Sequence, residues 1–432
     1  MRVRFLAAAA VLTAPLALCG CGGGSGSGGS AAAPAPAKAV DAAAMVGMVS
    51  LSTAGKTAVD PSVPLVVTAA RGTLTDVTVT AADGRMVGGA VAADDKSWKS
   101  TTPLSAGQQY TVRISADNGD GGRGSTVEQF TTKAASKTLT AVLTPGDKAV
   151  YGVGEPITAT LSLPVHDKAA REAVESGLTV SSTPTVLGSW YWVNDTTLHF
   201  RPETYWPAHA KIGAAFDMPG AAVGGGVYGG KPSSISFSTG DKMVALTDAG
   251  TDYMTVYRND KVLRKLPITT GKPGFSTRNG IKVVLDQAQT VFMDSNTVGI
   301  AAGSSNSYAM NVYWDTQVTW SGEYVHAAPW SVGSQGVANV SHGCTGLSTA
   351  DAHWFYDNFR VGDVVQVINS KGHMMEPFGN GFGDWNLSWS AWQKGSALGR
   401  TVETSAVAAA PSSAASGAAP QAAQAGLIRP EA

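Results

Sequence analysis

The chain has 432 residues, with 31 basic and 32 acidic side chains, and 44% of its residues are apolar. The length suggests about three domains. Nothing in this balanced charge suggests the basic surface by which proteins bind nucleic acid, so no nucleic-acid partner is expected. Frequent Gly and Pro between Thr- and Val-rich segments favour short strands. We therefore expect a mostly β, multidomain protein.

The N-terminus has the features of an export signal. Two arginines precede an apolar run over residues 5–18, which is shorter than the roughly 20 residues that a transmembrane helix needs. The run is followed by Cys19-Gly20-Cys21, which resembles a bacterial lipobox, in which a small residue precedes the lipidated cysteine. We predict a lipoprotein signal peptide over residues 1–21 with lipidation at Cys21. Secretion without a lipid is the alternative.

The next part of the chain is a linker followed by the first β region. Residues 22–40 are rich in Gly, Ser, Ala and Pro without apolar periodicity, which predicts a flexible tether. Residues 41–135 contain short apolar runs between turns, and residues 110–114 alternate as a half-buried strand. Helix signals are few. These features predict an immunoglobulin-like β-sandwich over residues 41–135.

Residues 136–241 repeat this character. Residues 157–163 predict a strand, and residues 167–175 predict a short helix that stops at Gly177. The two regions also close on similar sequences, Phe130-Thr131-Thr132 and Phe237-Ser238-Thr239. We therefore predict two tandem immunoglobulin-like modules, the second over residues 136–241.

A third region, residues 242–370, begins with β-rich sequence and contains one clear helix signal. Ser348 or Thr349 can cap this helix, and Asp351 lies in its first turn, where a carboxylate suits the helix dipole. Gly362 ends the pattern, and residues 364–368 predict a buried strand.

Two C-terminal segments follow. Residues 371–399 carry Trp385, Trp389 and Trp392 at helical spacing, and we predict that this extension packs on the third domain. Residues 400–432 are mainly Ala, Ser, Pro and Gln, which predicts a disordered tail.

Cys344 is the one cysteine outside the targeting segment. An unpaired thiol in an exported protein has no disulfide role, although a buried inert cysteine is a simple alternative. It lies in Ser341-His342-Gly343-Cys344, shortly before the predicted helix, whose N-terminus would lower the pKa of a nearby thiol. Backbone N–H groups at such a turn can also hold an oxyanion. The pattern favours a nucleophilic cysteine.

A thiol nucleophile needs a base. His326 lies eighteen residues before Cys344, after a strand-like segment, and a hairpin or flap can bring it back to the sulfur. His342 is only two residues away and is badly placed to reach the sulfur along one strand. A zinc site of His326, His342 and Cys344 is a less favoured alternative, because no fourth ligand appears at a usual spacing.

At this point the sequence resembles a known family. The stretches 324–331, 341–344 and 351–365 look like the catalytic core of YkuD-type L,D-transpeptidases. The chain is most similar to actinobacterial, mycobacterial-type enzymes with two immunoglobulin-like modules before the catalytic domain. The resemblance implies a YkuD-type catalytic domain over residues 242–370. The chain departs from the family at Gly346, where an Asn is usual, which puts local rigidity or substrate positioning in question.

The resemblance also implies residue roles. Cys344 would be the nucleophile and His326 the general base, with its ring oriented by the backbone carbonyl that follows it. Gly343 and Cys344 would supply oxyanion N–H groups, while Ser341 and His342 would shape the motif. Asn339 resembles a loop position without a chemical role. The family's substrate pocket and flap would be lined by Met293, Tyr308 and Trp330. No cofactor or metal is implied.

The implied reaction is 3→3 cross-linking of peptidoglycan at the outer face of the cell membrane. Cys344 would form a thioester with a tetrapeptide stem, and the amine of a diamino acid on a neighbouring stem would accept the acyl group. The implied partners are therefore stem peptides, with β-lactams, especially carbapenems, as covalent inhibitors. An L,D-carboxypeptidase or endopeptidase, and a non-catalytic wall-binding lipoprotein, remain alternatives.

Overall fold

A computed structural model describes residues 38–39, 49–53, 56–119 and 122–407. The predicted signal peptide, Cys21 and most of the predicted tether lie outside these residues. Within the described residues, no helix is long and apolar enough to cross a membrane. This part of the chain is mostly β, as the composition predicted.

The described part of the first region contains eight strands in two facing sheets. The strands are β1 (Lys38–Ala39), β2 (Val49–Leu51), β3 (Val66–Ala69), β4 (Thr73–Ala81), β5 (Gly89–Val91), β6 (Ser97–Ser100), β7 (Gln109–Asp117) and β8 (Gly122–Thr131). The sheets have the orders β1-β8-β7-β4 and β2-β3-β6-β5. Side chains alternate along β7, so that Tyr110, Val112 and Ile114 enter the core between the sheets.

The second region is another sandwich with one short helix, α1 (Lys168–Ser176). Asp167 accepts a hydrogen bond from the backbone N–H of Ala170 and so caps α1, which ends at Gly177 as predicted. The strands are β9 (Lys137–Leu139), β10 (Ala141–Thr144), β11 (Val150–Tyr151), β12 (Ile157–Leu161), β13 (Leu178–Thr183), β14 (Leu187–Trp192), β15 (Thr197–Pro202), β16 (Lys211–Phe216), β17 (Ala222–Gly224), β18 (Val227–Gly229) and β19 (Ser233–Thr239). The main sheets are β10-β12-β15-β14 and β11-β19-β16-β13, and β17-β18-β9 forms a small third sheet.

The third region contains two further sheets and helix α2 (Thr349–Asn358). Its strands are β20 (Met243–Asp248), β21 (Tyr253–Arg258), β22 (Lys261–Pro267), β23 (Gly280–Val283), β24 (Asp286–Asp294), β25 (Ala309–Gln317), β26 (Tyr324–Ala327), β27 (Thr345–Leu347) and β28 (Val364–Ile368). They form the sheets β22-β21-β20-β28-β23 and β24-β25-β26-β27. Ser348 caps α2, and the buried Phe355 of this helix joins the core of the region. The fold therefore places β26 and β27 side by side.

The C-terminal extension, which contains α3 (Trp389–Gln393), packs differently from the prediction. It touches the third region, since Asn386 accepts a hydrogen bond from the N–H of Ile281 at 2.7 Å. Its tryptophan stripe, however, covers the second sandwich. The Arg201 guanidinium on β15 lies 4.6–5.3 Å from the ring centroids of Trp385, Trp389 and Trp392. The spacing of the tryptophans indicated that one face of this segment is buried. It did not indicate that this face covers Arg201, because β15 is distant in the sequence.

The prediction of a disordered tail from residue 400 was wrong for its first residues. Strand β29 (Val402–Glu403) pairs with the edge of β14, where Leu187 lies opposite Glu403. The Ser182 and Thr404 hydroxyls are also 2.6 Å apart and hydrogen-bonded. An edge strand offers unpaired backbone groups to any nearby segment, whatever its composition. Residues after 407 lie outside the described part of the chain.

Candidate active site

The parallel pair β26–β27 brings the predicted catalytic residues together. His326 on β26 lies opposite Gly346 on β27, and Cys344 immediately precedes β27. Both side chains line one cavity of about 230 Å³. The same cavity is lined by the other predicted positions Met293, Tyr308, Trp330, Ser341 and His342. Residues as far apart in the sequence as Met293 and Cys344 thus meet at one end of two neighbouring strands.

Gly343 lies in an adjoining, larger cavity of about 660 Å³. Cys344, His342 and Tyr308 line both cavities, so the thiol stands where they meet. The smaller cavity is mostly apolar, whereas charged side chains of Arg278 and Glu323 face the larger one.

The His326 ring is buried and held in one orientation. Nδ1 lies 2.8 Å from the carbonyl oxygen of Ala327, so an Nδ1–H tautomer donates this bond and leaves the Nε2 lone pair free to take a proton. The predicted contact to the carbonyl that follows the histidine is therefore present. Burial lowers the pKa of His326 to about 4, and the bond to Ala327 only partly opposes this shift. The imidazole is neutral at pH 7.

The Cys344 thiol has a backbone carbonyl as its hydrogen-bond partner. Its Sγ donates to the carbonyl oxygen of Gly322 at 3.5 Å. Burial raises the pKa of Cys344 to about 12; the backbone N–H of Tyr324 opposes this shift, and the carboxylate of Glu323 adds to it. The thiol and the imidazole are therefore both neutral before substrate binds.

The expectation that a helix N-terminus lowers the thiol pKa was wrong. Strand β27 separates Cys344 from α2, which begins only at Thr349. The cap is also already satisfied, because Ser348 accepts a hydrogen bond from the N–H of Asp351 at 3.1 Å. Desolvation of the sulfur outweighs any favourable dipole at that distance.

The turn before Cys344 is fixed by side-chain hydrogen bonds. Gly343 has φ of 123°, a conformation that favours glycine. The Ser341 hydroxyl donates to the carbonyl of Cys344 at 2.6 Å and accepts from the N–H of Gly343 at 3.1 Å. The Gly343 N–H, predicted to bind an oxyanion, is thus engaged by Ser341 in this state. Asn339 also has a structural contact, since it accepts from the N–H of Thr270 at 2.7 Å.

His342 is held between two aromatic rings. Its ring centroid lies 4.8 Å from that of Phe275 and 5.2 Å from that of Tyr308. Its Nε2 is buried without a hydrogen-bond partner among the described residues. Burial lowers the pKa of His342, and the positive charge of Lys272 adds to this effect. His342 is therefore a neutral part of the cavity wall.

Sequence reasoning missed a charged cluster behind the thiol. Lys282 on β23 is fully buried and forms an ion pair with Glu323. Glu323 also accepts from the backbone N–H of Arg278 at 3.0 Å and from its Nη1 at 3.2 Å. The signal was present in Ile281-Lys282-Val283-Val284, where a lysine interrupts an apolar strand.

Asp315 on β25 was also missed. It is fully buried, and neither carboxylate oxygen has a hydrogen-bond partner among the described residues. The next residue, Thr316, pairs with Val325, which precedes His326 on β26. Burial raises the pKa of Asp315 to about 7, and the N–H of Val291 opposes the shift without a hydrogen bond of normal geometry.

The space around Gly346 explains how the chain tolerates its departure from the family pattern. A Cβ on this residue would lie 2.9 Å from both the Ala328 Cβ and the Thr269 Cγ2. Gly346 also exchanges backbone hydrogen bonds with Thr269, at 2.8 and 3.0 Å. Ala328 and Thr269 thus occupy the space that a larger side chain at position 346 would need. The two backbone hydrogen bonds to Thr269 hold β27 in place.

The described residues contain no group of three or more His, Cys, Asp or Glu side chains arranged to hold a metal ion. The zinc interpretation of His326, His342 and Cys344 therefore finds no support in the geometry.

Comparison with known proteins agrees with this site. Residues 56–222 match the family model for a bacterial Ig domain, and residues 242–367 match that for an L,D-transpeptidase catalytic domain. L,D-transpeptidase 2 of Mycobacterium tuberculosis is 36% identical over 345 residues, which cover 80% of this chain and 83% of that protein. L,D-transpeptidase 5 of the same species is 32% identical, and the match covers 78% of this chain and 74% of that protein.

A solved structure of an L,D-transpeptidase from Mycobacterium smegmatis is 38% identical, with a TM-score of 0.44, and covers 53% of this chain and 98% of that one. From the sequence relatives and the catalytic-domain match, the chain belongs to the L,D-transpeptidase family.

Proposed function

We propose that this chain forms 3→3 peptidoglycan cross-links through a cysteine acyl-enzyme, with Cys344 as the nucleophile and His326 as the general base. One observation carries the proposal: these two side chains, brought together by the β26–β27 pair, line one cavity with a thiol proton and a free imidazole lone pair. Membership of the family supplies the substrate class, which is the peptide stem of the cell wall.

The neutral pair defines how the first half-reaction proceeds. A stem binds with the carbonyl carbon after its third residue at the sulfur. Cys344 loses its proton to Nε2 of His326 as Sγ bonds to that carbon, so no free thiolate precedes attack. The C–N bond then breaks, and His326 returns the proton to the nitrogen of the leaving D-Ala. A thioester remains on Cys344.

The second half-reaction reverses these roles. The side-chain amine of a diamino acid on a neighbouring stem attacks the thioester and gives its proton to His326. The C–S bond breaks, and the sulfur regains a proton from the imidazolium. The oxyanion formed in each step needs N–H donors at the turn, so the Gly343 N–H has to exchange its bond with Ser341 for one with the substrate.

The apolar cavity is the proposed site for the body of the stem and for β-lactam inhibitors. Met293, Tyr308 and Trp330 line it, and Trp330 is 56% exposed, so its ring can close over a bound ligand. A ligand there displaces water from the reacting atoms, which strengthens their electrostatic interactions.

The decisive experiment is intact-protein mass after incubation with a carbapenem, with a Cys344→Ala variant as control. We expect a shift of one drug mass in the parent and none in the variant. A parent without a shift would favour a non-catalytic wall-binding role. Incubation with purified tetrapeptide stems then separates the two enzymatic functions, since a transferase yields cross-linked dimers and a carboxypeptidase yields only tripeptides.

We further propose that the protein acts while anchored outside the membrane through a lipid on Cys21, with the two β-sandwiches as spacers. The support is the lipobox-like sequence together with the position of both sandwiches before the catalytic region. A Cys21→Ala variant is expected to leave the membrane fraction of cells. If the variant stays in that fraction, the anchor is not on Cys21.

A further inference from the structure

The two cavities that meet at Cys344 differ in charge. The titratable wall residues of the apolar cavity besides the thiol are Tyr308, His326 and His342. Burial raises the pKa of Tyr308 and lowers the pKa of both histidines, so none of the three is charged at neutral pH. The larger cavity has the cations Arg278 and Lys371 on its wall, together with His373 and the carboxylate of Glu323. A carboxylate carried by a substrate next to the reacting carbonyl would be stabilised in the larger cavity and destabilised in the apolar one.

Arg278 is tied directly to the catalytic turn. The hydroxyl of the preceding residue, Thr277, donates to the carbonyl oxygen of Gly343 at 2.8 Å. On its other side, Arg278 donates to Glu323, which follows Gly322, the residue whose carbonyl accepts the Cys344 thiol. Both connections link Arg278 and its neighbour Thr277 to the residues around the thiol.

Arg278 forms ion pairs with two carboxylates. The first, Glu323, is shared between Arg278 and the buried Lys282, whose pKa is lowered by burial. The exposed carboxylate of Glu376 is 3.9 Å from the Arg278 Nε, beyond hydrogen-bonding distance, and this Nε has no hydrogen-bond partner among the described residues. The Arg278 side chain is 26% exposed. The Nε is itself buried, so it is the exposed part of the guanidinium that can donate to an anion in the cavity.

We propose that Arg278 binds the C-terminal carboxylate of the donor stem and thereby makes the enzyme select stems that end one residue beyond the bond that Cys344 attacks. The inference rests on the proposed function. In such a stem the terminal carboxylate carbon is three bonds from the attacked carbonyl carbon. A longer stem has an uncharged amide at this position, which cannot form an ion pair with a guanidinium.

The test compares two donors that differ only at this group: a tetrapeptide stem with a free C-terminal carboxylate and the same peptide as a C-terminal amide. The rate of thioester formation on Cys344 is followed by intact-protein mass in single turnover. The parent is expected to react about 10- to 100-fold faster with the free acid, the usual effect of one hydrogen bond to a charged group. In Arg278→Ala this ratio falls to about one, and Arg278→Lys keeps part of it.

Lys371→Ala is the matched control, because it removes an exposed cation from the rim of the same cavity. The parent ratio is expected to persist in this variant. The proposal is overturned if Arg278→Ala keeps the parent ratio, even with both rates reduced, since a purely structural arginine would slow both donors alike. It is equally overturned if Lys371→Ala, and not Arg278→Ala, abolishes the ratio.

Failure of the proposed function gives a different result. The parent would then form no thioester with either donor, and both proposals would fall together. Thioester formation at equal rates with the two donors would overturn the role of Arg278 alone.

Discussion

The side chain of Ser341 bonds to the backbone of Cys344: its hydroxyl donates to the Cys344 carbonyl at 2.6 Å. The same oxygen accepts from the N–H of Gly343, so one serine closes the turn that presents the thiol. Because Gly343 has a positive φ, this turn depends on both its glycine and its serine.

Removal of this hydroxyl is expected to loosen the turn. A Ser341→Ala variant should lose about 1 kcal/mol of unfolding free energy, the usual net value of a hydrogen bond. It should also acylate more slowly, because the thiol is less well positioned. Denaturant titration and carbapenem acylation rates measure the two effects. Ser341→Thr keeps the hydroxyl and should retain both properties better than alanine; equal losses in the two variants would contradict a role for the hydroxyl.

The raised thiol pKa predicts a specific pH dependence in the free protein. With a pKa of about 12, the thiolate of Cys344 is scarce at pH 7 and its fraction grows about tenfold per pH unit. Alkylation of Cys344 by iodoacetamide, followed by peptide mass mapping, should therefore accelerate continuously from pH 7 to pH 10. The urea-unfolded protein is the control and should level off near pH 9. A plateau near pH 7 in the folded protein would contradict the raised thiol pKa.

Restoring the residue usual in the family is expected to destabilise this protein. In Gly346→Asn, the new Cβ meets Ala328 and Thr269 at 2.9 Å, and such overpacking costs about 1–3 kcal/mol of unfolding free energy. Adding Thr269→Ser removes the Cγ2 in contact while keeping the hydroxyl that bonds Ala338, and should recover part of the loss. Denaturant unfolding of both variants tests this. Unchanged stability in the single variant would mean that β27 has room for a side chain.

Because of the buried Asp315, the free energy of unfolding is expected to fall as pH rises. Its pKa is about 7 in the folded protein and near 4 in the unfolded chain, so between these values the unfolded state releases the proton first. The stability present below pH 4 is lost as pH rises towards 7. Over this range the free energy of unfolding of Asp315→Asn should fall by about 1–3 kcal/mol less than that of the parent. Unfolding free energies at pH 4, 5.5 and 7 measure the difference, with the exposed Asp286→Asn as control. Parallel curves for the parent and Asp315→Asn would contradict the shifted pKa.

The extension should stabilise the second sandwich. Trp392 is fully buried and donates from Nε1 to the carbonyl of Ser189 on β14 at 2.9 Å. Trp392→Ala is expected to cost about 3–5 kcal/mol of unfolding free energy. Trp320, which is 56% exposed, gives the matched control, and Trp320→Ala should cost far less. Equal effects of the two substitutions on thermal unfolding would argue against the observed packing of the extension.

The sequence by itself determined the features that depend on neighbouring residues. Apolar alternation predicted the β class, Asp167 and Gly177 bounded α1, and Ser348 capped α2. The Ser-His-Gly-Cys tetrapeptide with a histidine eighteen residues earlier indicated the family, which the relatives confirm. Each of these signals is carried by residues close together in the chain or by a motif of fixed spacing.

Only the tertiary structure decided what depends on distant residues. It placed the tryptophan stripe over Arg201, paired residues 402–403 with β14, and brought Lys282, Arg278 and Glu323 together behind the thiol. It also decided the direction of two pKa shifts, since burial raises the pKa of Cys344, contrary to the expected lowering, and lowers that of His326. The physical reason is that desolvation and charge pairing depend on which atoms surround a group in space, and a local sequence pattern does not contain those atoms.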